Sequence, residues 1–355
     1  MDNLLIVIPA TKKNAVIPDQ LIKKLNGMTL IKRAINLILQ ITHYKEQILI
    51  ITDSDEISLI AQRNKIPCKK DVSLSLNSDN IIQEVIKRTS EYSQRNILLY
   101  RGNTPLLGKD MLKDAYKEFL KLKDSILVSV KKQTRDVYAI NDDVLEKIEI
   151  KDLYEELGAF YIFDKNSIIK SNYRRVPYII SDEESIEIKN YQSWWVCEKI
   201  LQRKRIVFNV VGNTNIGMGH IYRSLTIAHD ISDHEIIFVC DEKYELAVKK
   251  IASMDYSVLK SNNVEKLIYD LKPDMVINDI LNTSNDYILK LKEKEIIVVN
   301  FEDLGSGSEN ADIVINELYE KPQKKGDHYY WGYEYLTLRD EFYDVEPNLF
   351  KNSVK

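Results

Sequence analysis

The sequence predicts an α/β protein made of two doubly wound, Rossmann-like domains in tandem. Three observations predict it. Short apolar runs recur through the chain, and between them lie segments with apolar residues at helical spacing. The alternation weakens after Val130 and restarts at Arg205, so it describes two sheets. Polar or glycine-bearing turns follow several of the runs, where ligands of such sheets bind. A chain of 355 residues is long enough to close two cores.

The first run is Leu4–Pro9 (LLIVIP), followed by the polar turn Ala10–Pro18. Leu30, Ile31, Ala34, Ile35 and Ile38 then give one apolar face of a helix. A second strand is read at Gln47–Thr52, ending in Asp53-Ser54-Asp55, which opens a helix. A helix over about Asp79–Tyr92 leads to a third strand at Asn96–Tyr100 and the loop Gly102-Asn103-Thr104-Pro105. A helix at Lys109–Leu122 and a strand at Ser125–Val130 follow. The charged stretch Tyr138–Tyr154 lacks periodicity and is expected to leave the sheet. Gly158–Phe163 (GAFYIF) returns as a strand, Ser185–Lys189 (SIEIK) reads as a short alternating strand, and a helix over Asn190–Gln202 ends a first domain at residues 1–203.

The second domain, residues 204–355, opens with the apolar run Arg205–Val211 and has further strands at 235–240, 274–279, 295–300 and 312–316. Between its first strand and first helix lies Gly212-Asn213-Thr214-Asn215-Ile216-Gly217-Met218-Gly219-His220-Ile221-Tyr222-Arg223, the clearest chemical signal in the chain. Gly217 and Gly219 let the backbone take conformations barred to other residues and let a ligand approach closely. N–H groups of an opening helix favour an anion. His220 falls in the first turn, and Arg223, three residues on, shares its face. The alternative reading of the same residues is a tight turn with a helix-start histidine and no chemistry.

Composition narrows the classes. Hydrophobic content of 44% and charged content of 29% are those of an ordinary globular protein. A net charge of −4, with lysines spread among acids, gives no drive toward nucleic acid. Cys68, Cys197 and Cys240 are far apart and odd in number, which favours reduced thiols over disulfides or a zinc site. No apolar run reaches membrane-spanning length, the first nine residues are too short and acidic for a signal peptide, and a cytoplasmic location is expected.

Residues 1–203 resemble the cytidylyltransferases that make CMP-sugars from sialic, legionaminic or pseudaminic acids. The resemblance rests on Ile8-Pro9-Ala10, Ile17-Pro18, Leu25–Ile31 (LNGMTLI), Thr52–Ile57 (TDSDEI), Asn103–Leu106 (NTPL), Gly158–Phe163 and Glu184–Lys189 (ESIEIK) in that order. It implies a nucleotidyltransferase-like fold and transfer of a cytidylyl group from CTP to a sugar acid, with pyrophosphate released. On the matching positions it places nucleotide- or substrate-binding residues at Ala10, Thr11, Asn14, Gln20, Lys23, Asp79, Asn103, Thr104 and Gly158, and catalytic cations at Lys12 and Lys13. The family's loop is glycine-rich; here Lys12, Lys13 and Val16 replace the glycines, and Gln20 and Leu21 replace a lysine and an asparagine. The family's metal-binding Asp-Ile-Asp is Glu187-Ile188-Lys189, so Glu187 is the expected Mg²⁺ ligand and Lys189 stands where a second carboxylate belongs. Synthetases of this kind often carry a dimer-forming insertion near 131–157; the region is short here, and a homodimer is an expectation only.

Residues 205–345 resemble the UDP-sugar hydrolases of pseudaminic acid biosynthesis, whose fold is the two-lobed GT-B type. The Gly217–Arg223 element carries this, with Val276–Asp279 (VIND), Glu302-Asp303, Ala311–Asn316 (ADIVIN), Gly332–Tyr335 (GYEY) and Leu338–Phe342 (LRDEF). The resemblance implies that His220 activates water, that Gly217, Gly219 and Arg223 contact a UDP-sugar, and that only the N-terminal lobe is included. Three readings stay open: a cytidylyltransferase with a fused partial hydrolase, a UDP-sugar hydrolase needing a further lobe, and a nucleotide-sugar-binding protein without turnover.

Overall fold

The computed structural model describes residues 3–12, 16–73, 81–134, 136–141, 143–148, 152–169, 173–342 and 345. The chain divides into two compact units, Met1–Gln202 and Arg203–Lys355. Each is an α/β unit around one seven-stranded sheet.

In unit 1 the elements run β1 (Leu4–Ala10), β2 (Lys24–Leu25), β3 (Met28–Thr29), α1 (Leu30–Leu39), β4 (Ile48–Thr52), α2 (Asp55–Arg63), β5 (Cys68–Lys70), α3 (Ile81–Arg88), β6 (Asn96–Tyr100), α4 (Lys109–Leu120), β7 (Ser125–Lys132), β8 (Tyr138–Asn141), β9 (Val144–Lys147), β10 (Tyr154–Asp164), α5 (Lys165–Ile169), β11 (Arg174–Ile179) and α6 (Tyr191–Gln202). The sheet order is β11-β7-β10-β6-β1-β4-β5. β10 runs antiparallel to both of its neighbours, β6 and β7, and the remaining pairs are parallel. Every residue of β1 is buried because helices cover both faces. Leu4, Ile6 and Ile8 pack with α1 and α4 on one side; Leu5 and Val7 pack with α3 on the other. Thr29 and Ser54 cap α1 and α2 with their hydroxyls, which satisfies N–H groups that a helix leaves open.

Unit 2 continues with β12 (Arg205–Val210), α7 (Gly219–Asp230), β13 (Glu235–Asp241), α8 (Glu245–Ala252), β14 (Val258–Ser261), α9 (Val264–Leu271), β15 (Met275–Asp279), α10 (Asn285–Lys292), β16 (Ile297–Phe301), β17 (Ile313–Asn316) and β18 (Tyr329–Trp331). All its sheet pairs are parallel, in the order β14-β13-β12-β15-β16-β17-β18. The order reverses between β12 and β15, so the crevice of this doubly wound sheet lies beyond the carboxyl ends of those two strands. α7 and α8 pack on one face, α9 and α10 on the other.

Several details differ from the sequence reading. Ser185–Lys189 forms no strand; Ile188 instead donates its N–H to the Asn103 carbonyl at 2.9 Å. The stretch read as irregular holds the separate hairpin β8–β9. The unforeseen strands β5, β11, β14 and β18 lie at or beside a sheet edge, where a strand faces solvent and does not need a continuous apolar run. Among the described residues, no helix is long and apolar enough to cross a membrane.

Candidate functional site

In unit 2 the chain between β12 and α7 is held by its own groups. A Cβ on Gly212 would lie 2.7 Å from Ile221 Cγ1, so helix packing demands glycine there. The Asn213 side-chain oxygen accepts from the N–H groups of Asn215 at 2.9 Å and Ile216 at 2.8 Å, and its carbonyl accepts from Gly217. Gly217 has φ 90°, a conformation that costs any other residue strain. No side chain caps α7, so its first N–H groups have no hydroxyl or carboxylate partner of that kind. Gly219, at the helix start, would meet nothing within 4 Å if it bore a Cβ, and it lines an open cleft.

That cleft, about 520 Å³, is lined among others by Gly219, His220, Arg223, Glu302, Glu317 and Arg339. His220 Nδ1 lies 2.6 Å from Asp279 Oδ1. Asp279 ends β15 and is fully buried. Arg223 grips the same carboxylate with two N–H groups, Nε at 2.9 Å and Nη2 at 2.6 Å, and Ser224 donates to it at 3.3 Å. Arg223 Nη1 reaches Glu317 at 2.7 Å and Glu302 at 3.4 Å, and the guanidinium lies 5.0 Å from the centre of the Phe301 ring. Burial alone would lower the Arg223 pKa; the Asp279 hydrogen bonds and the nearby acids outweigh it and hold the group above its ordinary value. Glu302 is raised too, by its burial, against the opposing Arg223 charge. Its Oε2 is buried and without a partner among the described residues. Leu281 and Glu302, which both line the cleft, have φ 72° and 52°. Such non-glycine conformations cost about 1–3 kcal/mol each and cluster at sites the fold over-determines.

The fold thus brings Gly219, His220 and Arg223 into one cleft, while Gly217 shapes the turn that leads there. The acids Asp279, Glu302 and Glu317 were missed as site residues. Each stands at or just after the carboxyl end of an apolar run (MVIND, IVVNFE, IVINE), and that placement was the available signal.

In unit 1 the predicted residues separate. Ala10 is fully buried at the end of β1. The Lys12 N–H donates to Asp53 at 2.7 Å, and its ammonium is taken by Glu56 at 2.7 Å with Asp19 at 3.8 Å. The Lys12 and Ser54 hydrogen bonds hold the Glu56 carboxyl down at about 2. Thr11 follows β1, half-buried. Lys13, Asn14 and Asp79 lie outside the described residues. The buried Gln20 amide donates to the Ile188 carbonyl at 2.7 Å, and Lys23 Nζ lies 5.9 Å from the centre of the Tyr191 ring. The Thr104 hydroxyl donates to the Arg101 carbonyl at 2.7 Å.

A second cluster forms around Glu187. Its Oε1 accepts from Asn103 Nδ2 at 2.9 Å and pairs with Arg101 Nη2 at 3.4 Å; its Oε2 pairs with Lys189 Nζ at 3.2 Å. Gly158, with φ 63°, lies beside it, since a Cβ there would sit 3.3 Å from Arg101 Nη1. Arg101 was not foreseen; its signal was a lone cation directly after an apolar strand. These residues do not fit Mg²⁺. The ion takes several oxygens in near-octahedral order, whereas both Glu187 oxygens face cations and no group of three or more metal-ligating side chains occurs among the described residues.

No family model matches the sequence. An uncharacterised protein of Methanocaldococcus jannaschii is 31% identical over 157 residues, a match covering 40% of this chain and 32% of that protein, so this chain spans less than two thirds of the relative's length. Among solved structures, a CMP:2-keto-3-deoxy-manno-octonic acid synthetase complexed with CTP matches with a TM-score of 0.44 and 8% identity, over 56% of this chain and 98% of that one. A 4-diphosphocytidyl-2C-methyl-D-erythritol synthase from Anaerococcus prevotii matches with 0.45 and 15%, over 57% and 100%. A cytidylyltransferase from Leptospira borgpetersenii gives 0.39 and 13%, over 56% and 87%. Likenesses at these scores assign neither family nor activity.

Proposed function

We propose that the chain serves the making of activated nonulosonic sugar acids, of the sialic, legionaminic or pseudaminic kind, and that unit 2 carries a nucleotide-sugar hydrolase centre with His220 as base. One observation supports this above the rest: His220 Nδ1 lies 2.6 Å from a buried carboxylate that Arg223 fixes in place. A carboxylate accepts hydrogen bonds, so Nδ1 faces it as the donor, and this reading assigns the base to the tautomer whose Nε2 carries the lone pair. In a cleft holding a UDP-sugar, Nε2 takes a proton from water as the water oxygen bonds to the anomeric carbon. The bond from that carbon to the phosphate oxygen breaks, and its electron pair leaves with UDP. The uncapped first turn of α7 offers N–H donors to the departing diphosphate. The test is free UDP released from a panel of UDP-linked amino sugars. His220→Ala is expected to lower the rate by roughly 10²–10⁴-fold, and Asp279→Asn to lower it through loss of orientation. Release that is equal in His220→Ala, or absent with every sugar, would sink the reading.

A second activity, cytidylyl transfer in unit 1, is favoured by the convergence of Arg101, Asn103 and Lys189 on Glu187. There the oxygen of a sugar-acid hydroxyl would bond to the α-phosphorus of CTP, its proton passing to solvent, as the bond to the pyrophosphate oxygen breaks and pyrophosphate leaves with that electron pair. Pyrophosphate release with CTP and a sugar acid, reduced in Arg101→Ala, is the expected result. No release with any sugar acid in the panel would exclude it.

A further inference from the structure

Unit 2 holds another cavity, about 390 Å³, lined by Asn209–Val211, Asp241–Tyr244, Asn262–Glu265, Ile280 and Tyr287. It lies at the carboxyl ends of β12, β13 and β15, where the strand order reverses. Its size is in the lower part of the usual small-molecule range of about 300–1,000 Å³. Asn209 and Tyr287 belong to the sheet face covered by α9 and α10, whereas the His220 cleft lies on the α7 face. The two sites are therefore separate.

Behind the cavity runs a buried ladder of amides. Asn209, Asn278 and Asn300 are in register on the adjacent strands β12, β15 and β16. Asn209 Nδ2 meets Asn278 Oδ1 at 3.0 Å, Asn278 Nδ2 meets Asn300 Oδ1 at 2.9 Å, and Asn300 Nδ2 meets Asp303 Oδ2 at 2.6 Å. The Tyr287 hydroxyl also donates to Asn278 Oδ1, at 2.8 Å. The orientation of each amide follows from the far end. The Asp303 carboxylate, which also accepts from Thr283 and Gly305, only accepts, so Asn300 must turn its nitrogen to it. That leaves Asn300 Oδ1 for Asn278 and Asn278 Oδ1 for Asn209. Asn209 therefore donates into the ladder, and its own Oδ1, in a side chain 7% exposed that lines the cavity, is left out of the ladder. A hydrogen-bonded chain ending on an anion polarises its members, which strengthens this last carbonyl as an acceptor.

The other lining groups define what it accepts from. Asp241 and Glu265 add carboxylates, and Asn262 an amide. Among the described residues, Lys243 is the one cation in the lining and pairs with Asp241 at 2.9 Å, so two carboxylates stand against a single lysine and the lining is poorly suited to a phosphate. Val210, Val211, Ile280 and the two tyrosines supply apolar surface. We infer that this cavity is a binding site for a neutral, hydroxyl-rich ligand, a monosaccharide or the glycosyl part of a larger one, whose O–H groups donate to Asn209 Oδ1 and the neighbouring acids. Sugar hydroxyls supply several donors from one ring, and the ring's C–H face suits the apolar wall.

The inference does not depend on hydrolysis at His220. The experiment is amide NMR of the full chain titrated with N-acetylglucosamine, with inorganic phosphate as the opposing probe. Saturable shifts at 241–244 and 262–265 are expected from the sugar and not from phosphate, equally in wild type and His220→Ala. Asn209→Ala and the exposed Glu265→Ala should each weaken the apparent Kd, the first at least tenfold. Glu265→Ala carries the test alone if Asn209→Ala does not fold. Shifts confined to Gly219–Arg223, shifts caused by phosphate instead, or no saturable shift up to the solubility of the sugar would each overturn the assignment.

Discussion

Arg223 faces three carboxylates, and Glu302 is the one it satisfies least. Removing one partner from a buried ionic cluster leaves uncompensated charge and costs about 3–5 kcal/mol. Arg223→Ala should lose stability on that scale in denaturant unfolding. Glu302 gives a signed pH effect. Burial raises its carboxyl above the ordinary 4.5, so the folded state holds this proton more tightly than the unfolded one. Its contribution is fully present below 4.5 and is lost as pH climbs from 4.5 through the raised folded value. Glu302→Gln cannot ionise, so its thermal midpoint should fall less than that of wild type between pH 4.5 and neutrality. Lys189→Asp would put a second carboxylate beside Glu187; Mg²⁺ should then raise the unfolding midpoint of the variant and leave wild type unchanged. At this scale His220 was legible because two glycines precede it within one turn. Its partner Asp279 lies 59 positions away, and no local pattern links the two.

At the scale of elements, the turn into α7 uses its glycines for different reasons. Gly212 has Ile221 against it, while Gly219 has open cleft. Gly212→Ala should cost about 1–3 kcal/mol through overpacking. Gly219→Ala should leave unfolding unchanged within about 0.5 kcal/mol yet weaken nucleotide-sugar binding in the cleft. A similar loss of stability in both would mean that the second glycine is structural too. Central strands were readable because helices on both faces require continuous apolar runs. Edge strands such as Arg174–Ile179 were not, because their exposed positions tolerate arginines and a proline. Ser185–Lys189 read as a strand from its alternation alone, but the N–H and carbonyl of Ile188 bond to Asn103 and Gln20 instead of a ladder.

Over the whole molecule, each unit closes its own two cores, one on each face of its sheet. Fragments 1–202 and 203–355 should each unfold cooperatively when made alone, as circular dichroism against temperature would show. The two-sheet organisation was legible because the strand–helix alternation stops and restarts. The insertion of β10 between β6 and β7 was not, since pairing partners leave no trace in periodicity. That insertion bears on synthesis. β7 has no bonded neighbour among earlier strands, so a ribosome that has released residues up to 132 has left β6 and β7 each with an open, apolar edge. The edges close only when residues 154–164 emerge and fill the gap from the opposite direction. A pause in translation between those points, or a nonsense codon there, yields a nascent chain primed to pair with its neighbours on the polysome.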